Sequence, residues 1–180
     1  MSQTNLYTVT VPPMIKALKA LSAILDKAME HAKTKASERR PAEQQMEALL
    51  NDRLVFDQFA LMRQIQIACD NAKGAVGRLA EIEVPKFDDT EKTYEEIKAR
   101  IAKTVAILES VKPEQIIGKE EIKVTLPYFA NKYFTGFEYA TEYLQPNFYF
   151  HVTTAYAILR KNGLNIGKAD YMGGLPLKDI

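Results

Sequence analysis

One stretch near the C-terminus, residues 144–163, limits the possible folds more than any other part of the chain. It is the most apolar helical run in the sequence, and Phe148, Tyr149 and Phe150 together cover most of its circumference. A helix that is apolar nearly all round is buried in a core or in a subunit interface. We therefore expect the other helices of the protein to pack around this segment.

The beginning and end of this helical region carry recognisable signals. Thr135 and Glu138 fit a capping box, in which each side chain bonds a free backbone N–H of the first turn. Gly163 is a natural stop. Pro146 has no N–H, and its ring collides with the carbonyl of Glu142, one turn back. We expect a kink or break between Glu142 and Pro146.

Apolar residues recur at three- and four-residue steps in three other long regions, which is typical of bundle helices. Pro12 and Pro13 pre-set the backbone for a helix start, and Asn51–Asp52 is a plausible cap for the second long helix. Thr93 and Glu96 form another capping box. The predicted elements are an extended segment 1–11, long helices 13–33, 53–80 and 94–110, and a short helix 42–50.

The pattern changes period before the last helix. Residues 121–126 alternate polar and apolar side chains, which indicates a half-buried strand, and residues 132–134 can return as its partner. A lone hairpin is marginal in water, so this one must rest on the helices. The sequence predicts one all-α domain over residues 1–180, an up-and-down four-helix bundle with a short extra helix and a small β-hairpin before the last helix.

Composition narrows the function classes. The 24 Lys and Arg nearly balance the 23 Asp and Glu, so there is no electrostatic case for binding nucleic acid or an anionic membrane. No apolar run approaches the ~20 residues that span a bilayer, and no signal-peptide pattern opens the chain. The single cysteine, Cys69, fits a reducing compartment and is interpreted as a buried apolar filler. We expect a cytoplasmic protein.

Three segments resemble a known superfamily. They are residues 6–25, residues 63–74 (RQIQIACDNAKG), and residues 146–163 with 165–168, which begin PNFYFH and end NIGK. On these segments the chain is identified as a member of the DinB/YfiT-like superfamily of four-helix bundles, which are regarded as metalloenzymes. More closely, it resembles a bacterial and fungal family within that fold that has no assigned function.

The resemblance implies a metal site of three histidines, one from the second helix and two, four residues apart, from the last. His151 falls on the second position of the last-helix pair, and Asn147 stands at the first. Gln66 is the best match for the second-helix position, with Gln64 as the alternative. The chain contains only His31 and His151, so a three-histidine zinc site within one subunit is impossible by count.

Three interpretations of this degenerate site stay open. A divalent ion, zinc or nickel, could be held by His151, Asn147 and Gln66, although neutral amide oxygens are weak zinc ligands and Asp70, one turn after Gln66, would be needed to improve the set. The same four residues, Gln66, Asp70, Asn147 and His151, could instead line a metal-free ligand pocket. Finally, His151 could be a hydrogen-bonded core residue.

Two classes of function follow, and no catalytic residue is assigned in either. The first is a homodimer that binds a small hydrophobic or amphiphilic molecule, or a partner, because Phe148, Tyr149, Phe150 and Tyr156 exceed what one side of a core helix needs. A fully intramolecular core is the other interpretation of these aromatic residues. The alternative, implied by the resemblance, is a metal-dependent thiol transferase or small hydrolase with His151 as ligand or general base. The sequence leaves open whether the protein is an enzyme.

Overall fold

The computed structural model describes residues 4–179 of the chain. Within those residues a π-helical turn spans Tyr139–Leu144, and a 3₁₀ turn spans Pro113–Gln115. The helices are α1 Leu6–Thr34, α2 Ala42–Asn51, α3 Leu61–Leu79, α4 Tyr94–Ser110, α5 Gly136–Glu138, α6 Gln145–Lys161 and α7 Lys168–Met172, and the strands are β1 Lys123–Val124 and β2 Phe134–Thr135.

The long helices α1, α3, α4 and α6 form a four-helix bundle. α3 packs on both α6 and α4, and α1 packs on α4 while α2 and α7 cover it. α3 and α6 run antiparallel, because Asn147 contacts Asn71 and His151, one turn later, contacts Gln64, earlier in α3. The antiparallel pair β1–β2 precedes the last long helix. The predicted fold class is confirmed.

α1 begins earlier than predicted, at Leu6. Asn5 caps it in a reciprocal pair, in which Thr8 N–H donates to Asn5 Oδ1 at 3.0 Å and Asn5 N–H donates to Thr8 Oγ1 at 3.0 Å. The prediction of an extended segment is therefore wrong for residues 6–11, and residues 1–3 lie outside the described residues. Both prolines sit inside the helix instead of at its start.

A contact with α6 accommodates Pro13 inside α1. Because Pro13 has no N–H, the carbonyl of Val9 lacks its intrahelical donor. The side-chain Nε2 of Gln145, 136 residues away, donates to Val9 O at 3.0 Å. The first turns of α1 and α6 are thus joined by a hydrogen bond to the carbonyl that Pro13 leaves without its helical donor.

Replacing Gln145 with methionine is expected to lower the free energy of unfolding by about 1 kcal/mol, since a partly buried carbonyl loses its donor. In a Pro13→Ala background the new N–H of residue 13 can serve Val9, so the same Gln145→Met change should cost much less. Urea unfolding of the four proteins of this double-mutant cycle measures the difference. Equal costs in both backgrounds would contradict the proposed link between Pro13 and Gln145.

α3 begins at Leu61, and residues 52–60 form a connecting segment without helix. Asp52 ends α2 instead of capping the next helix as predicted: its N–H donates to Leu49 O, and its carboxylate accepts from Asn162 Nδ2 at 2.6 Å and from Lys161 Nζ. The hydrogen bond from Asn162 helps to hold the pKa of Asp52 below its usual range. This anchoring to the end of α6 directs the 52–60 segment across the surface of α6.

Other predicted boundaries agree closely with the structure. α4 spans Tyr94–Ser110, with the predicted capping box between Thr93 and Glu96. The hairpin is shorter than predicted, with only Lys123–Thr135 and Val124–Phe134 paired. The break expected near Pro146 takes the form of the π-helical turn, in which Gln145 N–H bonds the carbonyl of Ala140, five residues back.

α1 is longer and more apolar than the sequence analysis expected of any segment. With 29 residues it is, by length and composition alone, long and apolar enough to cross a membrane, so the expectation that no segment reaches that size is wrong. Half of its most apolar stretch is buried inside the protein. The buried stripe that includes Leu18, Leu21 and Leu25 belongs to the common core of the bundle.

Candidate functional site

His151 lies on the face of α6 that packs against α3. The residue is 8% exposed, and its Nδ1 lies 2.6 Å from Gln64 Oε1. The amide of Gln64 is oriented by a second bond, in which Nε2 donates to the carbonyl of Phe59 at 3.0 Å. Because Gln64 Oε1 can only accept, Nδ1 of the neutral imidazole must carry the proton. This assigns the Nδ1–H tautomer and leaves a lone pair on Nε2.

The charge of His151 follows from its surroundings. Burial, and secondarily the positive charge of Arg63, lowers the pKa of the imidazole below its usual value. Nε2 has no hydrogen-bond partner among residues 4–179. Unlike the buried Oε1 of Gln58, it keeps some accessible surface. His151 is therefore a neutral side chain whose remaining nitrogen can accept a hydrogen bond.

The lowered pKa makes stability depend on pH. A histidine whose folded pKa lies below its unfolded value takes up a proton mainly in the unfolded state, so its contribution is present above about pH 6.5 and is lost as the pH falls. We expect wild type to lose stability relative to His151→Gln as the pH falls from about 7 to 5, with a slope of at most about 1.4 kcal/mol per pH unit. Urea unfolding across that range measures the difference, and a constant difference would contradict the assignment.

Gln66, the predicted second-helix ligand, lies on a different side of α3. It follows Gln64 by two residues, which is about 200° around a helix. Its Nε2 donates to Glu91 Oε2 at 2.9 Å, and its Oε1 accepts from Arg63 Nη1 at 3.2 Å. The second-helix residue that the structure brings to His151 is Gln64, the alternative position.

Asn147 and Asp70 have other partners as well. Asn147 precedes His151 by one turn, as the spacing predicted, and its Nδ2 donates to Asn71 Oδ1 at 3.2 Å. Asp70 forms ion pairs with Arg100 at 2.9 Å and Lys73 at 3.3 Å. The four predicted pocket residues are thus distributed over separate sets of contacts, and their common pocket stays a prediction.

The donor set does not suit a metal ion. His151 contributes one nitrogen, the Gln66 amide is engaged by Glu91 and Arg63, and the nearby charge of Arg63 disfavours a second cation. Zinc and nickel prefer imidazole or thiolate to neutral amide oxygen. Among residues 4–179, no group of three or more His, Cys, Asp or Glu side chains is arranged to hold a metal. We therefore assign no chemical step to an ion here.

A buried arginine organises the charges that surround Gln66. Arg100 of α4 is 2% exposed and pairs with Glu91 at 3.0 Å, Asp89 at 3.0 Å and Asp70 at 2.9 Å. Its guanidinium also lies over the ring of Phe87, 5.2 Å from the centroid. Through these contacts Arg100 links the connection between α3 and α4, which contains Asp89 and Glu91, to both helices.

The sequence analysis did not identify Arg100, although a signal was present. Arg100 lies three residues after Ile97 and four before Thr104, both fully buried, so it falls within the inward stripe of α4. An arginine in such a stripe requires acidic partners, because an unpaired buried charge is very costly. The acidic residues of the connection, Asp89 and Glu91, were the available candidates.

A groove lies beside His151, between α6 and the 52–60 segment, and we refer to it as the α6 groove. Its volume is about 450 Å³, and its lining includes Leu54, Tyr149 and Phe150. The ring of Phe150 meets that of His151 edge-on at 5.2 Å. Gln58 also lines the groove, and its Oε1 is buried without a hydrogen-bond partner. The groove therefore combines largely apolar walls with one glutamine whose amide oxygen has no hydrogen-bond partner.

Cys69, the only thiol, is fully buried in the core. Burial raises its pKa to about 12, so the thiolate is not populated near neutral pH. The thiol is thus a packing group in the core.

The fold and this site define a DinB-like helical bundle, as the sequence resemblance implied. The structure is similar to the crystal structure of a DinB family member protein from Shewanella denitrificans, with a TM-score of 0.89 and 45% sequence identity over 97% of this chain and 96% of that chain. Residues 6–172 match the family described as Domain of unknown function (DUF1993). The chain belongs to that family. No curated protein matches it.

Proposed function

We propose that this protein binds a small amphiphilic molecule in the α6 groove and does not itself catalyse a reaction. The observation that carries the proposal is Gln58 Oε1, a buried acceptor without a partner in a groove whose other walls are largely apolar. A buried unsatisfied polar group costs about 1–3 kcal/mol. A ligand that donates a hydrogen bond to this oxygen recovers that free energy.

The walls of the groove specify the rest of the ligand. Phe150 is 54% exposed and Leu54 is 37% exposed, so both rims present apolar surface to solvent. Covering such surface contributes about 25 cal/mol per Å². The matching ligand has an apolar body, such as a short acyl chain or a ring, and one hydroxyl or amide N–H.

The enzymatic alternative, a metal-dependent thiol transferase or small hydrolase, has less support. Such a reaction needs an activated nucleophile or an ion beside His151. Cys69 is a buried thiol with a raised pKa, and the amide contacts of Gln66 do not suit an ion. What supports binding instead is an apolar groove that is lined by Gln58, with its unpartnered Oε1, and by Phe150, whose ring contacts that of His151.

Two probes that differ only in their donor test the binding proposal. Octanamide has an N–H, and N,N-dimethyloctanamide does not. Isothermal titration calorimetry should show saturable binding of octanamide to wild type, at least about fivefold tighter than the dimethyl compound, from one added hydrogen bond. The Gln58→Leu variant should lose this preference while still binding both probes.

Phe150→Asp should abolish octanamide binding, because it places a charge on the apolar wall. Phe137 is also 54% exposed but belongs to α5, so Phe137→Asp is a matched control that should bind as wild type does. The absence of saturable binding to wild type, or equal effects of the two aspartates, would contradict the proposal.

We also propose that the protein is a homodimer, with a second copy covering the 52–60 segment beside the groove. Three apolar side chains of this segment are strongly exposed: Phe56 at 89%, Phe59 at 58% and Val55 at 49%. Contiguous exposed apolar surface of this kind marks association sites.

In sedimentation velocity, Phe56→Ser should convert a dimer to a monomer, whereas Tyr128→Ser, at a side chain 80% exposed in the hairpin, should leave the dimer intact. The concentration of 100 µM is on the order of the Kd of a dimer of moderate affinity. A wild type that is monomeric at this concentration would contradict the proposed dimer.

A further inference from the structure

A second cavity lies at the other end of α3, between Arg78 and the hairpin. Its volume is about 680 Å³, and its lining consists of Arg78 of α3, Lys123 of β1 and residues 125–127 and 129–133 of the hairpin. Arg78 follows Gln64 by 14 residues, which is about 21 Å along a helix axis, so the cavity is separate from the α6 groove. We propose that this hairpin cavity binds a small organic anion, a carboxylate or phosphate carried on an aromatic body.

The charge of the cavity supports an anionic ligand. Arg78, Lys123 and Lys132 line it, and no Asp or Glu does. Across residues 4–179, none of these three cations forms an ion pair. Three uncompensated positive charges around one concave site attract an anion.

Arg78 is held in place for this role. Its Nη1 lies 3.5 Å from Tyr139 Oη, and its guanidinium carbon is 5.9 Å from the centre of that ring. Tyr139 is 1% exposed, and burial raises its pKa, so the phenol stays neutral and leaves the arginine charge uncompensated. Gly74 provides the space, because a Cβ at this position would clash with Arg78 Nη1.

The aromatic residues define the body of the ligand. Lys123 Nζ lies 4.8 Å above the ring of Tyr133, which is 55% exposed. Phe129 is fixed by edge-to-face contacts with Phe134 at 5.8 Å and Tyr143 at 6.0 Å, and it remains 40% exposed. Two ring surfaces beside three cations suit a flat aromatic acid, which can stack while its anionic group faces the arginine.

The test uses 2-naphthoate and its neutral analogue 2-naphthylmethanol, followed by ¹H–¹⁵N NMR titration of the full chain. Naphthoate should perturb the amides of residues 123–133 and leave those of residues 52–60 unchanged, and the alcohol should bind at least about tenfold more weakly, as expected when a charged contact is lost. Perturbation centred on residues 149–157, or equal affinity for acid and alcohol, would overturn the proposal.

Variants separate specific binding from net charge. Arg78→Gln with Lys123→Gln should weaken naphthoate binding at least about tenfold, whereas Lys19→Gln with Lys27→Gln removes the same charge from α1 and should change it less than about twofold. Gly74→Ala keeps the charge but displaces the guanidinium, and it should also weaken binding. Equal effects of the two double variants, or binding only to phosphatidylglycerol vesicles and not to free naphthoate, would overturn the site.

Discussion

Replacing Arg100 with methionine is expected to lower the free energy of unfolding by about 3 kcal/mol. Methionine keeps most of the buried side-chain volume, so the lost stability comes from removing the positive charge of the guanidinium. Asp70, Asp89 and Glu91 then face one another without the cation that neutralises them. Asp70 and Asp89 keep partial access to water. The expected cost therefore lies near the lower end of the destabilisation seen when one partner of a buried ion pair is removed.

An exposed ion pair provides the control for Arg100. Lys19 and Glu109 pair at 2.6 Å with side chains 59% and 49% exposed, so Lys19→Met should cost less than about 1 kcal/mol. Adding Glu91→Gln to Arg100→Met should recover part of the stability, because one uncompensated carboxylate is removed. Urea unfolding of these variants measures all three effects. Similar costs for Arg100→Met and Lys19→Met would contradict the role of Arg100 as the centre of the cluster.

The second large effect is expected at Gly136, where replacement by alanine should cost about 3 kcal/mol. A Cβ there would clash with the backbone carbonyl of Lys119 and lie 3.2 Å from Ile122 Cγ1. The two segments of the chain are joined here by a hydrogen bond, which Phe137 N–H donates to Glu120 O at 2.9 Å. Because a backbone carbonyl cannot move aside as a flexible side chain does, the hairpin must shift away from α5.

Gly174→Ala is the matched control, since nothing lies within 4 Å of the added Cβ. Its free energy of unfolding should stay within about 0.5 kcal/mol of wild type. NMR spectra of Gly136→Ala should show the largest shifts in the hairpin, including Lys123, with the α6 groove unchanged. A Gly136→Ala protein as stable as Gly174→Ala would show that the close approach to Lys119 is not required.

The fold could be predicted largely from local sequence signals. The Thr93–Glu96 capping box marks the start of α4, and Gly163, which has a φ of +83°, follows the end of α6. The start of α1 could not be predicted in this way, because Pro12 and Pro13 ordinarily open a helix. At Pro13 the side chain of Gln145 replaces the missing backbone donor, and a contact across 136 residues leaves no local pattern.

The site was predictable only in part, for a geometric reason. The four-residue spacing of Asn147 and His151 identifies two residues of α6 that face α3. Whether Gln64 or Gln66 meets His151 depends on the rotation of α3 about its axis, and apolar periodicity does not determine that rotation to within two residues. The role of Gln58 depends on a connecting segment that was predicted to be helical.

The central claim is that His151 is a neutral side chain held by Gln64 and not a metal ligand. Long-range ¹H–¹⁵N NMR of the imidazole at pH 7, with and without equimolar zinc, tests it directly. The structure predicts a protonated Nδ1, an unprotonated Nε2, and signals that zinc leaves unchanged. A proton on Nε2, or a zinc-dependent shift that disappears in His151→Gln, would contradict the claim.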